Sequence, residues 1–284
     1  MKTITKIGEM QDVSSSLKSA GKTIGFIPTM GFLHEGHLSL VRKSKEFCDV
    51  TIVSIFVNPT QFSPSEDLAL YPRDIEKDNK LLLEQKVDYL FYPDADEIYP
   101  QNFQTFVDVN HITKKHEGES RPTHFKGVTT VVNILFNCVM PDHAFFGQKD
   151  AQQAAVIMQM VNDLKIPVNI NVCPIVRESD GLAMSSRNVY LSEDERKDAV
   201  VLYNALQKAK NMIAEGEERV SLIISDMMTN IEKVKSSKLD YIKIVETKSF
   251  ETVEELKSKN EYYILVACKI GNIRLIDNEL IMVD

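Results

Sequence analysis

The sequence predicts an α/β protein: a parallel sheet with helices on both faces, followed by a smaller α+β domain. Three observations carry that expectation. Residues 50–57, Val-Thr-Ile-Val-Ser-Ile-Phe-Val, form a continuous β-branched run of the kind that marks a strand covered on both faces. Such runs alternate with helical periodicities, which requires parallel strands joined by right-handed crossovers. After Arg177 the character changes to two amphipathic helices and three strand-like segments.

The elements follow in chain order. Residues 23–28, Thr-Ile-Gly-Phe-Ile-Pro, read as a strand, and residues 29–37 as a turn and a helix start. The strand at 50–57 ends at Asn58-Pro59. Residues 73–87 have a charged, leucine-rich helical pattern, and residues 89–92 form a short strand before Pro93. From Val128 onward, Val131, Val132, Leu135, Phe136 and Val139 keep helical spacing, and Pro141 stops the helix. Residues 143–146 are a brief strand. Gly147-Gln148-Lys149-Asp150 then opens a helix whose Ala151, Ala154, Ala155, Met158 and Val161 share one face, and residues 168–176 are the next strand.

In the second domain, Ser192 before Glu193, Asp194 and Glu195 suits a helix N-terminus. Ala199, Leu202, Tyr203, Leu206, Ala209 and Ile213 form the stripe of that helix, and Met227, Met228, Ile231 and Val234 that of another. Residues 241–245, 262–269 and 273–276 are strands, the last two joined by a Gly271-Asn272 turn. The expected domains are residues 1–176 and 177–284, with Met184-Ser185-Ser186-Arg187 on the loop that joins them.

Composition narrows the function classes. A chain of 284 residues with 43% hydrophobic residues can bury a full core, and its formal net charge of −8 argues against a broad nucleic-acid surface. The first six residues lack the apolar core of a signal peptide, and the longest largely apolar stretch, residues 128–140, is too short to span a bilayer. Cys48, Cys138, Cys173 and Cys268 are far apart and form no Cys-x-x-Cys pair, as expected of small buried hydrophobes in a reducing compartment. A cytoplasmic location is the expectation.

The chemistry concentrates at Thr29-Met30-Gly31-Phe32-Leu33-His34-Glu35-Gly36-His37. Histidines three apart in a first helical turn lie on one side, and Gly36 is expected to let a ligand approach the backbone. Unpaired N–H groups and the positive end of the helix dipole favour phosphate there, with the imidazoles as further donors. A nucleotide triphosphate site is the reading. Zinc fits poorly, because the metalloprotease pattern places its histidines four apart. A Walker loop fails too: Gly21-Lys22-Thr23 looks like its end, but Ser16 stands where the first glycine belongs. Each of the other unusual loops, 58–61, 147–150 and 184–187, also lies beyond a predicted strand end, where ligands of open sheets bind.

With these residues in view, the chain resembles the pantothenate synthetase (pantoate:β-alanine ligase) family of the HIGH-type nucleotidylyltransferase superfamily, nearly end to end. The resemblance is carried by Pro28-Thr29-Met30-Gly31 with His34-Glu35-Gly36-His37, by Val57-Asn58-Pro59-Thr60-Gln61-Phe62, and by Tyr71-Pro72-Arg73. Further on it is carried by residues 121–128, Arg-Pro-Thr-His-Phe-Lys-Gly-Val, by Phe146-Gly147-Gln148-Lys149-Asp150, by Gln152-Gln153, and by Met184-Ser185-Ser186-Arg187-Asn188. The family often has Gly where Thr123 stands, Glu where Gln148 stands and an aromatic where Ala151 stands.

The resemblance implies a Rossmann-like first domain that binds nucleotide and pantoate, a C-terminal lid, and a homodimer formed through the first domain. It implies the conversion of pantoate, β-alanine and ATP to pantothenate, AMP and pyrophosphate through pantoyl adenylate, with Mg²⁺ bridging phosphate oxygens. Its ATP site would comprise Met30, Gly31, Phe32, Leu33, His34, Glu35, Gly36, His37, Gly147, Gln148, Lys149, Asp150, Val176, Met184, Ser185, Ser186 and Arg187. His34, His37, Lys149 and Arg187 would be catalytic, His37 matching the residue usually assigned as proton donor. Gln61 and Gln153 would bind pantoate, and Gln61 β-alanine as well. The alternatives are a nucleotidylyltransferase that stops after one step, an aminoacyl-tRNA synthetase relative, for which the chain is too acidic and too short, and a regulatory module that binds ATP without turnover.

Overall fold

The computed structural model describes residues 1–63 and 68–283. The chain forms two compact units, one of Met1–Gln148 with Gln152–Pro174, the other of Lys149–Ala151 with Ile175–Asp284.

The first unit contains β1 (Lys2–Ile4), α1 (Ile7–Ser19), β2 (Ile24–Thr29), α2 (Glu35–Phe47), β3 (Val50–Ile55), α3 (Ile75–Glu84) and β4 (Tyr89–Phe91). It continues through the short α4 (Ala95–Ile98) and α5 (Glu117–Ser120), then α6 (His124–Val139), β5 (His143–Gly147), α7 (Ala151–Leu164) and β6 (Asn169–Cys173). The six strands are all parallel and lie in the order β1-β4-β3-β2-β5-β6. From β2 the chain therefore builds outward to β3 and β4 on one side and then to β5 and β6 on the other. The strand order reverses at β2 and β5, the place where open sheets leave a crevice for ligands.

The strands form for the expected reason. Every residue of β3 is buried, and the six residues of β2 are buried except for a half-buried Pro28, so both faces are covered. Three sequence expectations need correction. The edge strand β1 and helix α1 precede the first predicted element; β1 is a three-residue strand too short for a periodicity to be read. The strand expected over residues 168–176 ends at Cys173, because Pro174 lacks the N–H needed to continue the ladder. The helix at residue 128 begins four residues earlier, at His124.

Helix α6 positions one predicted loop directly. A Cβ at Gly127 would lie 2.5 Å from the carbonyl carbon and oxygen of Thr60, so only glycine allows this helix to approach the 3₁₀ turn Pro59–Gln61. The Asn58 amide donates to the Gly127 carbonyl at 3.0 Å and locks the contact.

The second unit contains α8 (Glu193–Asp198), α9 (Val201–Ala214), α10 (Val220–Glu232), β7 (Ser237–Glu246), β8 (Glu261–Ile270) and β9 (Ile273–Met282). Its strands are antiparallel in the order β7-β8-β9. Ser192 and Glu195 form a reciprocal cap at the start of α8. The helix expected to run from there through Ile213 divides at Ala199 and Val200, both of which keep right-handed helical dihedrals. Leu202, Leu206, Ile223, Met227, Ile264 and Val266 meet in one buried cluster, so the methionine at 227 packs the core. The three strands extend beyond their predicted limits, because a hairpin ladder continues through residues whose side chains are not apolar.

Gly127→Ala is expected to destabilise the protein by about 1–3 kcal/mol, because a backbone atom rather than a flexible side chain must move. Denaturant unfolding measures the loss.

Candidate functional site

Helix α2 begins with an unusual cap. The His34 Nδ1 accepts the Gly36 N–H at 3.2 Å, and the His37 Nδ1 accepts the His34 N–H at 3.3 Å. The rings stand 4.1 Å apart, centroid to centroid, tilted by 47°. The His37 N–H bonds the His34 carbonyl at 2.8 Å. The sequence expectation of unpaired amides is thus corrected: the imidazoles occupy the N–H groups of His34 and Gly36. Because each Nδ1 is an acceptor, the proton of each neutral ring resides on Nε2, which makes that atom a donor. A Cβ at Gly36 would lie 2.9 Å from the His34 ring, so the glycine makes room for the cap itself.

The turn leading into this cap is held from behind. Gly31 and Phe32 both adopt positive φ, +82° and +50°. The Asp78 carboxylate, on α3 and 1% exposed, accepts the Phe32 N–H at 2.8 Å and the Leu33 N–H at 2.7 Å. Burial pushes the Asp78 carboxyl above its ordinary pKa, against the pull of these two donors. Lys77 adds a cation over the Phe32 ring, 5.1 Å from its centroid. A cavity of about 300 Å³ opens at the ends of β2, β3 and β4, bounded in part by Met30, Phe32, Phe56, Arg73 and Asp78. The Tyr71-Pro72-Arg73 motif therefore reaches the same end of the sheet.

Gln61 sits at the centre of a polar cluster in the first unit. It is 8% exposed; its Oε1 accepts from Asn58 Nδ2 at 3.1 Å, and its Nε2 reaches the Met30 sulfur at 2.8 Å. Asn58 is oriented in turn by the Tyr99 hydroxyl, which donates to its Oδ1 at 2.8 Å. Burial raises the Tyr99 pKa. The Gln61 carbonyl oxygen lies 3.0 Å from His124 Nδ1 and accepts from Arg121 Nη2 at 3.4 Å. Met30 and Gln61, 31 positions apart in the chain, are thus brought together.

Gly147 closes β5, and a Cβ there would meet nothing within 4 Å. Gln148, Lys149 and Asp150 form a 3₁₀ turn before α7, with Asp150 exposed. The two glutamines that follow behave differently. Gln152 is 4% exposed and spends its amide on the main chain, donating to the Ile112 and Lys115 carbonyls and accepting the Glu117 N–H. Gln153 is half-buried, and its amide has no hydrogen-bond partner among the described residues.

In the second unit, residues 176–184 form a small hairpin. The Met184 N–H bonds the Val176 carbonyl at 3.0 Å, and Arg177 bridges to Ala183. This places Val176 beside Met184. Ser185 caps the following 3₁₀ turn by accepting the Arg187 N–H at 3.3 Å; Ser186 is buried and Arg187 half-buried. Among the described residues, no group of three or more His, Cys, Asp and Glu side chains is placed to hold a metal ion.

Comparison with known proteins decides the family. The family model for pantoate-β-alanine ligase matches residues 2–280. The chain belongs to the pantoate-β-alanine ligase family. It is a ligase that joins pantoate to β-alanine. Curated pantothenate synthetases from Caldicellulosiruptor bescii and Thermotoga petrophila are 56% and 50% identical to it; the first alignment covers 98% of both chains, the second 99% of this chain and 100% of the relative. The solved pantothenate synthetase of Thermus thermophilus superposes with a TM-score of 0.92 at 41% identity, covering 98% of this chain and 99% of that one. A Francisella tularensis pantoate-β-alanine ligase, solved with β-γ ATP and β-alanine, has a TM-score of 0.80 at 35% identity over 99% of this chain and 97% of that one.

The ligase also contains residues that motif spacing alone did not single out as site residues. Asp78 lies 45 positions beyond the turn it holds, and Asn58 and Tyr99 act on Gln61 through hydrogen bonds invisible in a linear pattern. The rejected Walker-like segment has an ordinary role: Lys22 and Thr23 both bond Asp49 at the start of the sheet. Asp78→Asn replaces one acceptor with an amide donor that faces a backbone N–H, and is expected to cost about 1–3 kcal/mol. Thermal unfolding measures that loss, and ¹⁵N spectra of the unaltered ligase are expected to show the Nε2–H tautomer for both His34 and His37.

Proposed function

We propose that the ligase activates pantoate with ATP before joining it to β-alanine, through pantoyl adenylate, with release of pyrophosphate and then AMP. The single observation that carries this reading is the reciprocal histidine cap at the strand-order reversal, which turns two imidazoles into Nε2 donors at a helix N-terminus. A carboxylate is a poor acyl donor because oxide would have to leave; AMP leaves readily. When the pantoate carboxylate attacks the α-phosphorus, negative charge grows on departing pyrophosphate, and fixed donors there lower the barrier.

In this assignment His34 and His37 donate to phosphate oxygens, with His37 the bond that strengthens most in the transition state. Lys149, Ser185, Ser186 and Arg187 complete the set that meets the phosphates, and Mg²⁺ arrives as part of the nucleotide complex. A lysine at a helix start opposes the helix dipole, which favours an anionic partner. The Lys149 ammonium lies within electrostatic reach of the buried Asp277 carboxylate. Met30, Gly31, Phe32, Leu33, Glu35 and Gly36 form the turn under the nucleotide, Gly147, Gln148 and Asp150 take the ribose side, and the Val176 and Met184 backbones frame adenine.

Gln61 and Gln153 bind pantoate. A carboxamide can donate to its carboxylate and accept from a hydroxyl, which no charged side chain does together. The Gln61 amide is pre-oriented by Asn58, while that of Gln153 has no such commitment. In the second step the neutral amine of β-alanine, near Gln61, attacks the acyl carbonyl; positioning suffices because nucleophile and leaving group are both good. The second unit serves as the lid that limits hydrolysis of the adenylate.

The enzyme works in the cytoplasm as a homodimer assembled through its first unit. No helix among the described residues is long and apolar enough to cross a membrane. Burial raises the thiol pKa of Cys48, Cys138 and Cys268 to about 11, which keeps those groups unreactive. Sedimentation at micromolar concentration is expected to give twice the chain mass.

The reading is tested by incubating the ligase with ATP, Mg²⁺ and pantoate, with and without β-alanine. Pyrophosphate is expected only when pantoate is present, and AMP release should accelerate when β-alanine is added; β-alanine without effect on AMP would leave a one-step nucleotidylyltransferase. Lys149→Ala is expected to lower pyrophosphate formation on the order of 10²-fold or more with the melting temperature retained. The two glutamines should separate: Gln153→Leu raises the KM for pantoate, whereas Gln152→Leu lowers stability by about 1–3 kcal/mol through stranded backbone groups.

A further inference from the structure

We propose that Asn278, together with the Arg177–Asp277 ion pair, is a positioning residue that holds Lys149 in register with the Met184–Arg187 turn. The proposal rests on the assignment of Lys149 and Arg187 to the phosphates of ATP. All the groups involved lie within the second unit, which includes Lys149–Ala151 although their neighbours on both sides belong to the first.

Strand β9 presents two consecutive buried polar residues, Asp277 at 4% and Asn278 at 2% exposure. Consecutive strand residues project to opposite faces, so the pair reaches two structures at once. Asp277 shares its face with Leu275 and Ile281, which are part of the buried cluster of this unit. There its two oxygens accept from Arg177 at 2.6 and 3.0 Å. Arg177 also donates to the Gly181 carbonyl at 3.1 Å and the Asn278 carbonyl at 3.2 Å, and its guanidinium lies 4.7 Å from the centre of the Tyr203 ring. Its Nη2 also lies 3.9 Å from the Glu279 carboxylate, so these contacts tie β9 to the hairpin whose end carries Met184, Ser185, Ser186 and Arg187.

On the opposite face, the Asn278 amide donates to the Lys149 carbonyl at 3.0 Å. The Asn278 N–H bonds Asp277 Oδ1 at 2.8 Å, which ties the two contacts together. A long, flexible ammonium side chain gains little precision from its own rotamers. Anchoring its backbone restricts the volume the ammonium explores. A buried carboxylate paired with a partly buried guanidinium is a weak source of stability, because desolvation offsets their attraction. Their placement here, on the Arg187 hairpin directly, on the Lys149 backbone through Asn278 and within electrostatic reach of the Lys149 ammonium, serves geometry.

Asn278→Leu removes the donor at similar volume, and Asn278→Asp removes it while keeping the shape. Each is assayed by single-turnover pyrophosphate release from ATP and pantoate, with melting temperature and pantoate KM measured alongside. If the inference holds, the variants that retain the parental melting temperature release pyrophosphate on the order of 10- to 100-fold more slowly, with the KM for pantoate unchanged. In a Lys149→Met background the same substitutions then add no further loss, since Asn278 acts through Lys149. Full pyrophosphate release in the folded variants, or losses that multiply with Lys149→Met, overturns the inference and leaves the role of Lys149 standing. A slow variant with a displaced pantoate KM or a lowered melting temperature overturns it as well, in favour of a general structural role. Full activity of Lys149→Met by itself removes both the assignment of Lys149 and the inference built on it.

Discussion

A helix must dispose of its first amide protons, and the way α2 does so governs the chemistry available at its start. Most helices use a hydroxyl or carboxylate there. Here two imidazoles accept the backbone N–H groups through Nδ1, and each neutral ring must then carry its proton on Nε2. In the proposed function this arrangement offers a phosphate Nε2–H donors rather than a fixed cation, which suits an anion that must be stabilised in the transition state and then released. Gly36 is small because the His34 ring occupies the space a side chain would need.

That cap depends on a turn with two residues at positive φ, and the turn depends on Asp78. A buried carboxylate satisfied by two backbone N–H groups is a stiff connection, since leaving either donor unpaired is expensive. Similar logic recurs around Gln61, where Asn58, Tyr99 and Gly127 set the amide and its backbone. In each case a buried polar neighbour holds a residue that the proposed function places against a substrate. The second unit follows the same rule with Arg177, Asp277 and Asn278.

Much of this was legible in the chain itself. The strands at Val50–Ile55 and His143–Gly147, the helix ending at Pro141, the capped start at Ser192 and the Gly271-Asn272 turn follow from local patterns. Those signals depend on neighbours a few residues apart. The histidines, Gln61, Lys149 and Arg187 were likewise singled out by motif. Missing from the sequence reading were the three-residue β1, the early stop at Pro174 and the division of the helix near Ala199. Asp78 read as one acid in a charged helix, Gln152 only as the neighbour of Gln153 in a motif, and Asn278 as a polar residue beyond the last predicted strand.

The sequence by itself determined which chemistry the protein performs, because the residue types and their order along the chain specify the reacting groups, and also the alternation that builds a parallel sheet. Only the tertiary structure decided how those groups are made precise: which ring nitrogen donates, which glutamine is committed to the main chain, and what anchors Lys149. The physical reason is distance along the chain. Periodicity and motifs record interactions within a few residues, whereas a hydrogen bond from Asn278 to Lys149, or from Leu33 to Asp78, exists only after the backbone has folded back upon itself.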